Sequence, residues 1–337
     1  MTMTYEINRR DVLKTLGAVT AGIALSRAGF AAPPAGPETK PFRGLFPIGS
    51  TPFTEDDKLD LECLSNEVKF CNRASVPGFI WPQIASGWST MSASERFAGA
   101  EAILAAGKGG KTALVIGVQT QNNDLPGAIA FAQHAAKNGA DAICSLPPEG
   151  NDAALLSYYK AIGNATDLPL FVQTIGNVSV DVLVEMFHSI PTMRVVKDEA
   201  GDPLMRVTEI RKRTDDKIGV FAGKGVRLMI EEMQLGFAGY CPTVGLADVF
   251  QQAYELYQAG KPREAFDMFG RILAFDSITH AEQYLMVARG IFKENTKSRH
   301  MPGMGDPNSK PPAPLTESEK KAVLQALDTY LKPYLRG

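Results

Sequence analysis

From residue 43 onward the chain alternates eight short, almost unbroken apolar runs with longer amphipathic stretches, and nothing else restricts its fold so tightly. The runs lie at 44–50, 78–82, 113–118, 142–146, 170–174, 194–197, 218–222 and 239–242. Between them, helical patterns fall near 59–74, 93–107, 124–138, 152–165, 179–189, 203–213, 226–235 and 247–259. A strand buried on both faces reads as a continuous apolar run, and repeated strand-then-helix units imply a parallel sheet covered by helices. Eight units predict a (β/α)8 TIM barrel over 43–260. A doubly wound open sheet is the competing architecture, but it rarely needs eight units with so little interruption. Three further helical segments near 261–275, 277–292 and 316–334 predict a C-terminal helical extension over 261–337, with the Pro/Gly-rich stretch 302–314 before the last. Ser92 followed by Glu95 reads as a capping box at the start of one barrel helix.

The first residues belong to another category. Asn8-Arg9-Arg10-Asp11-Val12-Leu13-Lys14 precedes an uncharged stretch from Thr15 to Ser26, and Gly29-Phe30-Ala31 offers a small-residue cleavage site. This resembles a twin-arginine export signal, with Val12 where that pattern usually has Phe. A membrane anchor needs about 20 apolar residues, and this stretch is shorter and rich in Gly, Ala and Thr. Residues 1–31 are therefore expected to be a cleaved signal, 32–42 a flexible Pro-rich tether, and the mature protein periplasmic or secreted, with no membrane attachment after cleavage. Cys63 and Cys71 fall eight residues apart on one helical pattern, about 12 Å at the helical rise and beyond disulfide reach. Cys144 and Cys241 sit in apolar runs, so four buried free thiols are expected. A net charge of −2 argues against nucleic acid or an anionic membrane surface as partner. His134, His188, His280 and His300 show no metal-ligand spacing, so no metal is expected.

In a barrel of this kind the functional groups stand at the C-terminal ends of the strands. Arg194-Val195-Val196-Lys197-Asp198-Glu199-Ala200-Gly201-Asp202 is a short strand ending in lysine, followed by an acidic, Gly-containing turn. An amine held in an apolar mouth loses solvation, its pKa falls, and it becomes a nucleophile toward carbonyls. The plain alternative is a strand-end lysine reaching solvent.

The stretch Val195 to Asp202 resembles the Schiff-base lysine motif of the dihydrodipicolinate synthase/N-acetylneuraminate lyase superfamily. Other stretches agree in order: Phe46-Pro47-Ile48-Gly49-Ser50-Thr51-Pro52-Phe53 with the opening strand, Gly139-Ala140-Asp141-Ala142 and Leu146-Pro147-Pro148 with the fourth, Ala165-Thr166-Asp167-Leu168-Pro169-Leu170 with the approach to the fifth, and Phe221-Ala222-Gly223-Lys224 with the seventh-strand turn. The resemblance implies class I chemistry: an imine between Lys197 and a small 2-oxo acid, no metal or organic cofactor, and a homo-oligomer, dimer or tetramer.

The departures limit what carries over. Where synthases and lyases of the superfamily place a proton-relaying tyrosine, this chain has Gln173, whose carboxamide holds a hydrogen bond but does not shuttle protons near neutral pH. The tyrosine pair expected after Pro147-Pro148 is Glu149-Gly150. The substrate-carboxylate loop after the second strand falls on Gln83-Ile84-Ala85-Ser86-Gly87, and the arginine expected after the fifth strand has no clear counterpart, Asn177 lying nearby. These differences argue against a lysine-biosynthesis synthase and more closely resemble the 2-keto-3-deoxyarabonate dehydratase-like branch. Two readings of each candidate stand. Gln173 orients substrate or satisfies buried backbone. Ser86 and the amides around Ala85, Ser86 and Gly87 bind the substrate carboxylate, or Ser86 caps its loop. Glu149 is the missing acid/base or a solvated charge. Gly223 forms a tight turn at the mouth. Trp81 and Trp88 narrow that mouth, or Trp81 packs between barrel and helix. His280 and Tyr284 share a helical face suited to packing or subunit contact. The first functional hypothesis is a Schiff-base lyase, dehydratase or aldolase, acting on a small 2-oxo acid. The alternative is an exported, non-catalytic barrel that binds a small acid or a partner protein.

Overall fold

The computed structural model describes residues 40–278, 281–300, 310 and 313–336, with the backbone alone at Gln283. The expected signal, most of the expected tether, His280 and most of 302–314 lie outside the described residues. Eight parallel strands form one sheet: β1 (Gly44–Leu45), β2 (Gly78–Trp81), β3 (Ala113–Gly117), β4 (Ala142–Ser145), β5 (Leu170–Thr174), β6 (Met193–Asp198), β7 (Gly219–Ala222) and β8 (Gly239–Tyr240). From β2 to β8 each strand pairs with the next in sequence, and β1 pairs with β8. A bridge between Ile48 and Ile80 brings β1 and β2 together and all but closes the ring. The fold is a (β/α)8 TIM barrel.

Helices alternate with the strands: α1 (Leu61–Arg73), α2 (Ala93–Ala106), α3 (Leu125–Lys137), α4 (Asp152–Gly163), α5 (Val180–Ser189), α6 (Pro203–Arg213), α7 (Met229–Leu235) and α8 (Ala247–Gln258). The Ser92/Glu95 capping box forms as read, Ser92 Oγ accepting from the Glu95 amide and the Glu95 carboxylate accepting from the Ser92 amide. Beyond the barrel come α9 (Pro262–Asp276), α10 (Ala281–Ala288) and α11 (Glu317–Ala326), the last continuing as a wider turn over Leu327–Leu331. A bidentate Arg289–Asp248 pair (2.6 and 2.7 Å), both side chains almost fully buried, ties this extension to α8. Among the described residues no helix is long and apolar enough to cross a membrane.

The first ladder is shorter than the expected 44–50. Phe46 and Ile48 still donate their amides to Tyr240 and Pro242 of the β8 side, but Pro47 between them has no N–H to give. Side chains alternate along each strand. Phe46, Ile80, Val115, Cys144, Phe171, Val195, Phe221 and Cys241 point inward to form the barrel core, and the opposite faces pack under the helices. Gly78 makes room there, since a Cβ would sit 2.0 Å from the Phe46 ring. Two residues of the segment read as a tether are built into this end. Phe42 packs edge-on against Phe171, with centroids 5.0 Å apart, and Lys40 pairs with Asp141 at 3.0 Å. All four cysteines are buried and free.

Candidate active site

The period of two along β6 decides which groups reach the interior. Val195 faces in, Val196 out, Lys197 in and Asp198 out, so Glu199 at the strand end faces in again, directly after Lys197 on the same side. Gln173 of β5 pairs in register with Lys197 and shares that inward face. The three side chains meet. Lys197 Nζ lies 3.0 Å from Glu199 Oε2, the Gln173 Nε2 group donates to the same oxygen, and the backbone N–H of Lys224 donates to Glu199 Oε1 at 2.9 Å. Gly223 leaves room for this approach, because a Cβ there would lie 1.9 Å from Glu199 Oε1 and the carboxylate would have to shift.

The outward neighbours hold the turn still. Asp198 takes a bidentate bond from Arg206 at 2.8 and 3.1 Å and a third bond from Thr174 Oγ1 at 2.6 Å. Thr174 Oγ1 in turn accepts the amides of Glu199 and Ala200. The sequence motif therefore splits by face: Asp198 anchors the strand from outside, and Lys197 with Glu199 forms the site within.

The electrostatics correct one expectation. Burial works against the Lys197 ammonium, but the Glu199 carboxylate more than offsets it and holds the amine above the usual lysine value, not below it. Glu199 is likewise desolvated, yet Lys197 and the Lys224 amide hold its carboxyl below the usual glutamate range. The plain alternative for Lys197 fails as well, because its side chain is only 7% exposed. Two thiols, Cys144 and Cys241, share this interior, and burial pushes each up to about 12.

The other candidates are placed as follows. Gln173 bonds to Glu199 and not to backbone, and its buried Oε1 has no partner. Ser86 Oγ donates to the Gly49 carbonyl at 2.5 Å and accepts from the Gln83 amide at 2.9 Å, which is the loop-capping arrangement. The amides of Ser86 and Gly87 are spent inside the same turn, on the carbonyls of Gln83 and Ile84, so these two are not presented to a ligand as expected. Ala85 and Asn177 are exposed on the loops after β2 and β5. Trp81 is fully buried behind the barrel wall, where its indole donates to Thr51 Oγ1 at 3.0 Å, and does not narrow the mouth. Trp88 does stand at the mouth. With Gln119, Leu146, Glu149 and Tyr158 it lines a cleft of about 480 Å3 above β3 and β4. The Glu149 backbone is clasped there by both ends of the Asn123 amide. Tyr284 donates to Glu294 at 3.4 Å on the outer extension. Among the described residues no cluster of His, Cys, Asp and Glu could hold a metal.

Sequence reasoning missed Glu199 as a site residue and read it as part of an acidic turn. The signal was its separation from Lys197, since two residues along a strand return to the same face. Tyr158 was also missed. It belongs to α4 and reaches the cleft only because the helix packs against β4, where its hydroxyl meets Ser145 Oγ at 3.0 Å.

The profile of the dihydrodipicolinate synthetase family matches residues 41–329. The 4-hydroxy-tetrahydrodipicolinate synthase of Methanosarcina mazei is 30% identical over 202 residues, covering 57% of this chain and 67% of that protein. That of Methanosarcina barkeri is 26% identical over 303 residues, covering 85% and 97%. Among solved structures, the N-acetylneuraminate lyase of Mycoplasma synoviae superposes with a TM-score of 0.73 at 18% identity, covering 86% of this chain and 98% of that one. The dihydrodipicolinate synthase of Rhodopseudomonas palustris gives 0.72 at 19% identity, covering 85% and 97%. These structural likenesses establish the shared barrel.

Proposed function

The chain belongs to the dihydrodipicolinate synthetase family, and on that premise we propose that it is a Schiff-base-forming lyase, dehydratase or aldolase, acting on a small 2-oxo acid through Lys197. The observation that carries the reading is the inward-facing Lys197 amine at the C-terminal mouth, 3.0 Å from a buried carboxylate fixed by two further donors. At rest the pair is an ammonium and a carboxylate. Docking of a 2-oxo acid shuts water out of the pair, which disfavours both charged forms and lets the proton pass from Lys197 to the Glu199 carboxyl. The neutral amine then adds to C2. The N–C bond forms, the carbonyl π pair moves to oxygen, and that oxygen takes the proton from Glu199. Glu199 next removes a proton from the nitrogen and delivers it to the same oxygen, which departs as water and leaves an iminium. The iminium accepts the electron pair of a C3–C4 bond in cleavage, as the C4 hydroxyl gives its proton to the Glu199 carboxylate and becomes a carbonyl. In dehydration it accepts the pair of a C3–H bond, whose proton passes to Glu199 and is returned to the C4 hydroxyl as it leaves as water. Glu199 thus supplies the proton transfers that Gln173 cannot, and Gln173 fixes it while offering a free Oε1 to a substrate donor. No metal or organic cofactor enters this reading.

The test is reduction with borohydride in the presence of pyruvate or a 2-keto-3-deoxy sugar acid, followed by peptide mapping. A reduced adduct on Lys197 is expected, and an unmodified Lys197 across a broad panel of 2-oxo acids overturns the proposal. One observation favours a second reading, a barrel that binds a small acid without turnover: the amine is ion-paired at rest. That reading predicts thermal stabilisation by 2-oxo acids that survives Lys197→Ala. Export through the twin-arginine segment and homo-oligomerisation belong to the same proposal, the first resting on Arg9-Arg10 and the stretch after them. Fractionation and light scattering test them.

A further inference from the structure

The turn after β7 carries three successive residues in the left-handed region, Lys224 (φ 52°), Gly225 (φ 75°) and Val226 (φ 56°), and the chain becomes right-handed again at Arg227. Glycine adopts such angles without strain, and asparagine or aspartate does so at modest cost. A β-branched residue is hindered there by its own side chain. The other non-glycine positions with positive φ among the described residues are Asp57, Ser75, Asn122, Asn123, Asp215 and Asp216, all exposed and none β-branched. Val226 is both β-branched and fully buried. Its side chain belongs to the core between barrel and helices, and its amide closes the turn on the Gly223 carbonyl at 3.0 Å. Strain of this kind persists only where the surroundings impose it, and it gathers at functional sites.

The consequence of the turn lies at its first residue. With the backbone in this hand, the Lys224 N–H donates to Glu199 Oε1 at 2.9 Å, and Lys224 Nζ donates to the Gly201 carbonyl at 3.2 Å. Gly223 and Gly225 have no side chain to hold that hand, and Lys224 itself is exposed. We propose that Val226 is a positioning residue: its isopropyl group, wedged into the core, locks the left-handed turn that aims the Lys224 amide at Glu199. The inference rests on the role given to Glu199 under the proposed function. The other groups facing Glu199 are Lys197, Gln173 and the protonated thiols of Cys144 and Cys241, and none of these belongs to the turn.

An NMR titration of the full chain, labelled with carbon-13 at the glutamate carboxyls and assigned through Glu199→Gln, tests this. The parent Glu199 signal is expected to titrate below the ordinary glutamate range. In Val226→Gly, which frees the turn to change hand, the midpoint is expected to rise by about one pH unit, the tenfold loss that release of one charge-assisted bond brings. Val226→Ala should shift it in the same direction by less, and serves where Val226→Gly does not fold. A residue that only fills the core would lower the urea midpoint and leave the Glu199 midpoint unmoved, and that result overturns the proposal. Hydrogen exchange on the parent adds a check without any variant. The Lys224 amide is expected to exchange at least about tenfold more slowly than an unbonded amide, and exchange at the unbonded rate overturns the proposal as well. Neither readout uses a 2-oxo acid, so a parent that never traps pyruvate at Lys197 sinks the proposed function without deciding this placement.

Discussion

Gly223→Ala is the substitution that most sharply separates a positioned Glu199 from an incidental one. The added methyl carbon would begin 1.9 Å from Glu199 Oε1, against a closest tolerable approach near 3.0 Å. The carboxylate must therefore shift by about 1 Å, which pulls Oε1 from the Lys224 amide and displaces the group that Lys197 contacts at 3.0 Å. A misplacement of ~1 Å at a reacting group costs on the order of 100-fold in rate, and loss of a positioned proton-transfer group costs roughly 100- to 10,000-fold. Overpacking destabilises the fold by about 1–3 kcal/mol, which a domain of ordinary stability survives. The rate of borohydride-trapped adduct formation with pyruvate, measured beside a urea unfolding midpoint, is expected to fall by about two orders of magnitude in a variant that remains folded. A folded Gly223→Ala protein that traps pyruvate at the parent rate refutes the argument that Glu199 must sit where it does.

Other expectations follow from the same contacts. The lowered Glu199 carboxyl contributes stability that is whole above its unfolded value of ~4.3 and lost as pH falls through its folded value, while the raised Lys197 contributes stability that is whole below ~10.4 and lost as pH rises through its folded value. Glu199→Gln should thus cost roughly 3–5 kcal/mol in the plateau between, and less at both ends; urea midpoints across pH check this, and a pH-independent difference contradicts it. Arg206→Met strips the fully buried Asp198 of its bidentate partner and is expected to cost about 3–5 kcal/mol by urea denaturation. A loss below 1 kcal/mol would show that Thr174 alone suffices. Replacing Arg9 and Arg10 together by lysine is expected to leave the protein in the cytoplasm, and unchanged appearance in the periplasmic fraction would remove the export reading.

The barrel was legible because its determinants are local and repeated. Each buried strand spells itself as an apolar run, and Ser92 with Glu95 marks a helix start whatever packs against it. Lys197 was legible for a similar reason, a charge ending such a run at the functional end of the fold. What escaped lay in the third dimension or in a register left uncounted. The partner that reverses the pKa shift of Lys197 is two residues away, yet a turn of Asp198, Glu199 and Gly201 reads as surface until the inward face is followed past the strand end. For Ser86 both readings stood open in the sequence, because nothing in its neighbours announces the Gly49 carbonyl, 37 positions earlier, whose bond completes the loop-capping one. Phe42 and Lys40 looked like tether because proline-rich flanks mask an aromatic ring that closes the barrel floor.

Crystals soaked with pyruvate give the most direct answer. Continuous electron density from Lys197 Nζ to C2 of the acid, with the Lys197–Glu199 contact replaced by one between Glu199 and the new adduct, is the expected result. A bound acid lying free beside an intact ammonium–carboxylate pair would contradict it.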